Sequence, residues 1–238
     1  MLKVSNQFVD QVITQYDTLE PGNSDSWNPV ESKFQLGYRL NLLYALTRAL
    51  QIIDEDIGEL KVLDLGCGNG RSTRLYIDMG LRPEQICGLD LRVGTIELAK
   101  LLNPAVVWKV HDGTDLPTGF NWISSTTVFS SVTGRESRLE IVERIHSALP
   151  VGGYAFYYDG LKANDFAGGD LIDPPSLFSG FEIAWSLRLG RFSAFPIFER
   201  LKGLLATRLS GDVRSASLRE IAGDMLAPSQ EAFLFRKT

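Results

Sequence analysis

Residues 62–73 read VLDLGCGNGRST: a short apolar run that ends in an acid and then three glycines at alternate positions. A four- or five-residue apolar stretch stopped by glycine is the pattern of a strand buried on both faces of a sheet. Gly66, Gly68 and Gly70 allow left-handed backbone and let another group approach the main chain where a Cβ would collide. The spacing is G-x-G-x-G, not the G-x-G-x-x-G of dinucleotide-binding loops. A chain with this opening is constrained to put the loop at the carboxyl end of a parallel strand.

The following hundred residues keep that rhythm. KVLDL (61–65), ICGLDL (86–91), AVVWKV (105–110), part of WISSTTVFSSV (122–132) and GGYAFYYDG (152–160) read as strands. RSTRLYIDMG (71–80), VGTIELAKLL (93–102) and SRLEIVERIHSAL (137–149) read as helices between them. Alternation of this kind predicts βαβ units, a mostly parallel sheet and right-handed crossovers, hence an α/β, doubly wound fold. Past Gly160, FEIAWSLRLG and QEAFLFRKT read as strands that give an antiparallel end, with a helix over PIFERLKGLLATRL. Ahead of the glycine loop, Leu36, Leu40, Leu43, Leu46, Leu50 and Ile53 recur at helical spacing, after a Gly-, Pro- and Ser-rich loop. The division expected is a helical lid over residues 1–57 and a core over 58–238, with an insertion near 160–215 on the acceptor side.

At 238 residues, 44% hydrophobic and 22% charged, the chain can bury a core without disulfides or metals. Its two cysteines, Cys67 and Cys87, lie inside α/β elements, which reads as reduced thiols and a cytoplasmic protein. The N-terminus has no signal-like apolar run, and no stretch is long enough to span a membrane. The net charge of −5 argues against a nucleic-acid partner. Residues 185–219 nevertheless carry +5, leaving −10 elsewhere. That basic segment reads as a phosphate-binding patch for the acceptor, as a contact with an anionic membrane surface, or as a helix packed on the sheet with a solvated edge.

The acids place a nucleoside. Asp90 ends the second strand twenty residues after Gly70, where a carboxylate can accept both hydroxyls of a ribose. Asp112, after the third strand, can accept from an exocyclic amine. Taken together, VLDLGCGNG, GLDL and HDGTDLP resemble motifs I to III of the class I S-adenosylmethionine-dependent methyltransferases, and IHSALPVGGYAFYYD resembles their turn before strand five. The resemblance covers about residues 60 to 160. It implies a Rossmann-like sheet, S-adenosylmethionine as cofactor and S-adenosylhomocysteine as product. The cofactor-binding residues it implies are Asp64, Gly66, Cys67, Gly68, Gly70, Asp90, Leu91, Asp112 and Gly113. Asp64 either accepts N–H groups of the loop or faces the cofactor's amino group, and Cys67 fits equally as a small filler. Tyr16, Trp27 and Arg39 belong to the expected lid, Arg39 as partner of the methionine carboxylate.

STTVFSSV through IHSALPVGGYAFYYD also resembles a bacterial methyltransferase subfamily associated with surface-polysaccharide and glycan biosynthesis. The chain departs from it at Phe120-Asn121, where an acid is usual, and at GLKANDFAGGD after the Tyr-Asp pair. The resemblance implies O-methylation of a sugar or glycan intermediate; a natural-product or other small-molecule N- or O-methyltransferase is the alternative. Methyl transfer from a sulfonium needs in-line positioning above all, and an alcohol acceptor gains from a general base. Asp159, with Tyr158 beside it, is the expected catalytic pair; a carboxylate there can equally cap a turn. Thr126, Thr127, Ser130 and Ser131 offer hydroxyls near the acceptor. His111 reads as a lining residue and His146 as structural. No His, Cys or acid grouping has metal-ligand spacing.

Overall fold

A computed structural model describes residues 10, 12–16, 33–53, 55–190 and 228–238. Trp27, the expected helix over PIFERLKGLLATRL and nearly all of the basic 185–219 segment lie outside those residues. The described elements are α1 (Lys33–Leu50), β1 (Val62–Leu65), α2 (Thr73–Asp78), β2 (Ile86–Asp90), α3 (Val93–Leu102), β3 (Val107–Val110), β4 (Trp122–Thr126), α4 (Arg135–Ala148), β5 (Tyr154–Gly160), α5 (Pro174–Leu177), β6 (Phe181–Gly190) and β7 (Pro228–Lys237). Residues 12–16 are also helical.

The seven strands form one sheet in the order β3-β2-β1-β4-β5-β7-β6. β1 pairs in parallel with β2 on one side and β4 on the other. The chain therefore reverses its direction of travel across the sheet at β1, and the crevice beyond β1 and β4 is where a doubly wound fold receives ligands. β7 runs antiparallel to β5 and to β6, which closes the sheet with a hairpin. The doubly wound α/β reading, with its antiparallel end, is what the structure shows.

Two apolar layers sandwich the sheet. On one face, Leu42, Ala45, Leu46 and Ala49 of α1 pack with Leu75 and Tyr76 of α2, Ile96 of α3 and Trp122. On the other, Val142 and Ile145 of α4 pack with Leu63, Ile123, Phe129, Phe178 and Phe235. The first layer modifies the reading of the N-terminal helix. Its buried stripe runs through Leu42, Ala45, Leu46 and Ala49, whereas Leu36 and Leu43 are exposed. The alanines, which the leucine periodicity passes over, let α1 approach the sheet closely. α1 thus shares its core with the strands and is part of the same packed unit.

Two further features shape the carboxyl end of the sheet. Residues Phe129–Ser131 form a 3-10 turn after β4. Arg138 of α4, buried, donates through Nε to the carbonyls of Phe129 (3.2 Å) and Val132 (3.0 Å), and its two terminal nitrogens hold Asp170 at 2.6 and 2.9 Å. A planar guanidinium with fixed donors suits this fork of partners, so the turn after β4 and the loop after β5 are tied to one helix.

Candidate cofactor and acceptor site

The glycine loop is held by the ends of its neighbours. Gly66, Gly68 and Gly70 all have positive φ, at +69°, +54° and +80°. A Cβ on Gly66 would lie 2.6 Å from Val128, and one on Gly70 would lie 2.5 Å from the Trp108 ring. These two glycines are required by the protein's own packing. Gly68 differs: a Cβ there meets nothing within 4 Å, because the position opens into the cavity. Its N–H donates to Asp90 Oδ2 at 2.8 Å. Asp90 Oδ1 accepts the Arg92 N–H at 2.9 Å, with the Arg92 guanidinium 3.7 Å away. Oδ1 also accepts the Thr95 hydroxyl at 3.3 Å; a carboxylate has about four acceptor sites, so Asp90 braces the loop and keeps acceptor capacity on Oδ2 for a ligand.

A cavity of about 230 Å³ opens beyond β1, β2 and β4. Gly66, Cys67, Gly68, Asp90, Leu91, Asp112, Gly113 and Arg39 line it, as does His111. Asp112 is tied into its own turn by the amide and hydroxyl of Thr114, at 2.9 and 2.6 Å, and these bonds hold its carboxyl below the usual range. His111 Nδ1 accepts from the Gly113 N–H at 2.9 Å, which fixes that nitrogen as an acceptor. Arg39 Nη1 lies 3.4 Å from the Arg71 carbonyl at the end beside the glycine loop. Tyr16 reaches across from the helical 12–16 segment: its hydroxyl is 2.6 Å from Ser131 Oγ, and Arg92 stacks 4.7 Å over its ring. Burial and the charges of Asp159 and Asp90 raise the Tyr16 phenol above its ordinary value, so it is a protonated hydroxyl at neutral pH.

Other expected residues are placed elsewhere. Gly70 sits on Trp108, away from the cavity wall. Asp64 is wholly buried and accepts the Thr73 hydroxyl at 2.5 Å and, more loosely, Ser72 at 3.4 Å. Among the described residues it takes side-chain hydroxyls from the start of α2, and it is not part of the cavity lining. Burial pushes its carboxyl up to about 6, and among the described residues its Oδ1 has no hydrogen-bond partner. Asp159 and Tyr158 do not line the cavity either. Asp159 is buried, takes the Ser130 N–H at 3.0 Å and its own neighbour Gly160 N–H at 2.8 Å, and rises to about 6. It shapes the turn after β4, the capping role that a carboxylate at this point can also serve. Tyr158 donates to Gln230 Oε1 at 2.6 Å on the opposite face.

A raised carboxyl in the folded state adds stability at low pH that is lost as pH rises from the unfolded value toward the folded one. Asp64→Asn, which cannot ionise, should therefore gain on the wild type between pH 4 and 7, by on the order of 2–3 kcal/mol for a shift of this size. Urea unfolding across that range measures it; parallel curves would show that Asp64 does not titrate in this way.

Several cavity residues carry no motif. Tyr38 and Leu42 enter from α1, and Leu116, Val128, Val132 and Ile141 supply apolar wall from three different segments. Tyr38 is signalled only by its place one residue before Arg39. Thr127, also in the wall, has φ +56°, a strained conformation for a β-branched residue. Thr126 and Ser131 line the wall beside it, while Ser130 turns inward to Asp159. Among the described residues no group of His, Cys, Asp or Glu could hold a metal ion, and no helix there is long and apolar enough to cross a membrane.

The cradle at Gly68 and the two carboxylates at successive strand ends fit the nucleoside and backbone-contacting parts of S-adenosylmethionine. Comparison with known proteins agrees. Residues 62–153 match the family model described as a methyltransferase domain. The tRNA (carboxymethyluridine(34)-5-O)-methyltransferase of Saccharomyces cerevisiae is 35% identical over 100 residues, 40% of this chain and 34% of its own length. Demethylmenaquinone methyltransferase of Paenarthrobacter aurescens is 26% identical over 144 residues, 60% of this chain and 53% of its own. The chain thus spans between a third and about half of the length of these curated relatives. Among solved structures, the N-methyltransferase NodS of Bradyrhizobium japonicum, in complex with S-adenosylhomocysteine, superposes with a TM-score of 0.64 at 12% identity, covering 96% of this chain and 99% of NodS. A TehB-like methyltransferase of Corynebacterium glutamicum gives 0.53 at 18% identity, covering 98% and 99%. Residues 62–153 thus match a methyltransferase domain, and the sheet that carries them has the Rossmann-like fold of solved S-adenosylmethionine-dependent methyltransferases.

Proposed function

We propose that this chain transfers the methyl group of S-adenosylmethionine to a hydroxyl of a sugar or glycan intermediate. The observation that carries the reading is the make-up of the cavity wall beyond β4. There Thr126, Thr127, Ser131, Tyr16 and Tyr38 present neutral hydroxyls and aromatic faces. Among the described residues, the carboxylates lining the cavity are Asp90 and Asp112, both on the nucleoside side. A wall of hydroxyls and rings suits a neutral polyol, which offers both hydrogen-bonding groups and C–H faces.

When bound, the cofactor supplies a methyl group on a sulfonium, a leaving group that needs no activation. The protein's part is to orient. Asp90, Leu91, Asp112 and Gly113 would hold the nucleoside, Gly66, Cys67 and Gly68 the segment next to the loop, and Arg39 the carboxylate. Tyr16 and Ser131, already bonded to each other, would present a donor and an acceptor to the incoming hydroxyl, whose proton would pass by way of Ser131 to solvent as the methyl ether forms and S-adenosylhomocysteine is left. Apolar Val128, Val132 and Ile141 keep water from the cavity.

The test is transfer of a labelled methyl group from the cofactor. Free sugars, nucleotide sugars and lipid-linked glycans are expected to accept label, with methyl ethers as products. Labelling confined to tRNA or to demethylmenaquinone, the acceptors named for the two curated relatives, would replace this reading; labelling of a small-molecule amine would favour the alternative acceptor class.

A further inference from the structure

α1 brings Gln35, Tyr38, Arg39 and Leu42 to the cavity wall. These positions follow helical spacing, so one stripe of α1 faces the site. The apolar stripe that docks α1 on the sheet is made of Leu42, Ala45, Leu46 and Ala49. Apolar contact is non-directional, and small alanines make a smooth surface. Something further has to fix how far along the sheet, and at what rotation, the helix comes to rest.

Three strands supply it. Asn41, fully buried, donates through Nδ2 to the Gly190 carbonyl of β6 at 2.6 Å and to Gln230 Oε1 of β7 at 3.0 Å. The same Gln230 oxygen accepts the Tyr158 hydroxyl of β5 at 2.6 Å. That hydroxyl also lies 3.4 Å from the carbonyl of Tyr38, and the two tyrosine rings meet edge to face at 5.2 Å. The network is buried, so a slipped helix would leave a desolvated amide and carbonyl unpaired. Such a loss costs more than the bonds themselves are worth. A slip of one residue would move α1 about 1.5 Å and turn it about 100°, which takes Tyr38 and Arg39 off the cavity.

We propose that Asn41 and Gln230, with Tyr158, are positioning residues that set the register of α1 and through it the placement of Tyr38 and Arg39 in the cavity wall, Arg39 on the cofactor side. The proposal rests on the reading of the cavity as the cofactor site. It also gives Tyr158 a part in the site without placing it in the chemistry.

Calorimetric titration of the full chain with S-adenosylhomocysteine tests it, beginning with the wild type. No wild-type binding would remove the cofactor reading and this proposal together. With wild-type binding established, Asn41→Leu and Gln230→Leu should each weaken affinity about tenfold, and Tyr158→Phe about threefold to tenfold, the range for one buried hydrogen bond or slightly more. The double variant Asn41→Leu/Gln230→Leu should be little weaker than either single one, because the two act as a unit. In turnover assays KM for the cofactor should rise by a similar factor while kcat changes less than about twofold. Variants that melt at lower temperature yet bind like the wild type would overturn the proposal, since a purely structural role predicts that result. A Tyr158→Phe that lowers kcat with the cofactor KM unchanged would overturn it too, by placing the hydroxyl in the chemistry. Tyr158→Phe keeps the ring packing and carries the test if the leucine variants do not fold.

Discussion

Asp90→Ala should weaken S-adenosylhomocysteine binding by on the order of 3 kcal/mol, about a hundredfold, measured by calorimetry. The size of the effect follows from two losses at once. The carboxylate faces the cavity at the end of β2, and it also accepts the N–H of Gly68 and of Arg92. Without it the glycine loop loses its brace, and Gly68 keeps a left-handed backbone with no bond to favour it. Charge-assisted bonds of this kind are about twice as strong as neutral ones. Asp112→Ala provides the contrast. That side chain is about half exposed and is bonded within its own turn, so its removal should cost tenfold or less. Equal effects of the two substitutions would mean that the brace on Gly68 adds nothing to affinity.

Gly88→Ala should be a severely damaging alanine substitution, and it should act on stability before binding. A Cβ on Gly88 would lie 2.4 Å from two atoms of the Trp108 ring and 2.9 Å from Cys67 Sγ. Trp108 cannot retreat easily: its Nε1 donates to the Asn103 carbonyl at 2.9 Å, and its ring also lies against Gly70. Overpacking in a closed site costs roughly 1–3 kcal/mol, and a rigid indole held on two sides puts this case at the upper end. Gly68→Ala should show the reverse. No atom obstructs its Cβ, so the stability cost is about 1–2 kcal/mol for the left-handed backbone. Cofactor affinity should fall much further, because the added methyl projects into the cavity. Urea unfolding and calorimetry on both variants separate the two effects. A Gly68→Ala protein that binds as the wild type does would move the cofactor away from the loop.

The contrast between these glycines shows how far the sequence could be read. Three alternate glycines announced the loop, but they looked equivalent. Gly66 and Gly70 answer to Val128 and Trp108, residues 62 and 38 positions away in the chain, whereas a Cβ on Gly68 meets no protein atom and would project into the cavity. Asp64 was legible as an important acid, yet its partners, Thr73 and Ser72, are chosen by the angle at which α2 leaves the loop. The pair Tyr158-Asp159 was legible as the end of β5. Which face each side chain takes depends on pairing with β7, where Tyr158 meets Ala232 and Asp159 meets Glu231. That pairing sends Tyr158 toward α1 and Asp159 toward the turn after β4, and neither toward the cavity.

Local chemistry explains what was determined by the sequence alone. Strand and helix periods, the glycine loop and the acids at successive strand ends are written within short windows, and right-handed crossovers leave few ways to assemble them. The parallel sheet with its antiparallel end, and the side of the cavity lined by the glycine loop and the strand-end acids, follow from that. The other side was decided only by tertiary structure. Its wall is gathered from the 12–16 segment, α1, the end of β4 and α4, and the register of α1 depends on Asn41, Gln230 and Tyr158, which are separated by up to 189 positions in the chain. A buried hydrogen bond between such residues has no periodicity and no spacing to betray it, because its geometry exists only after the strands have paired.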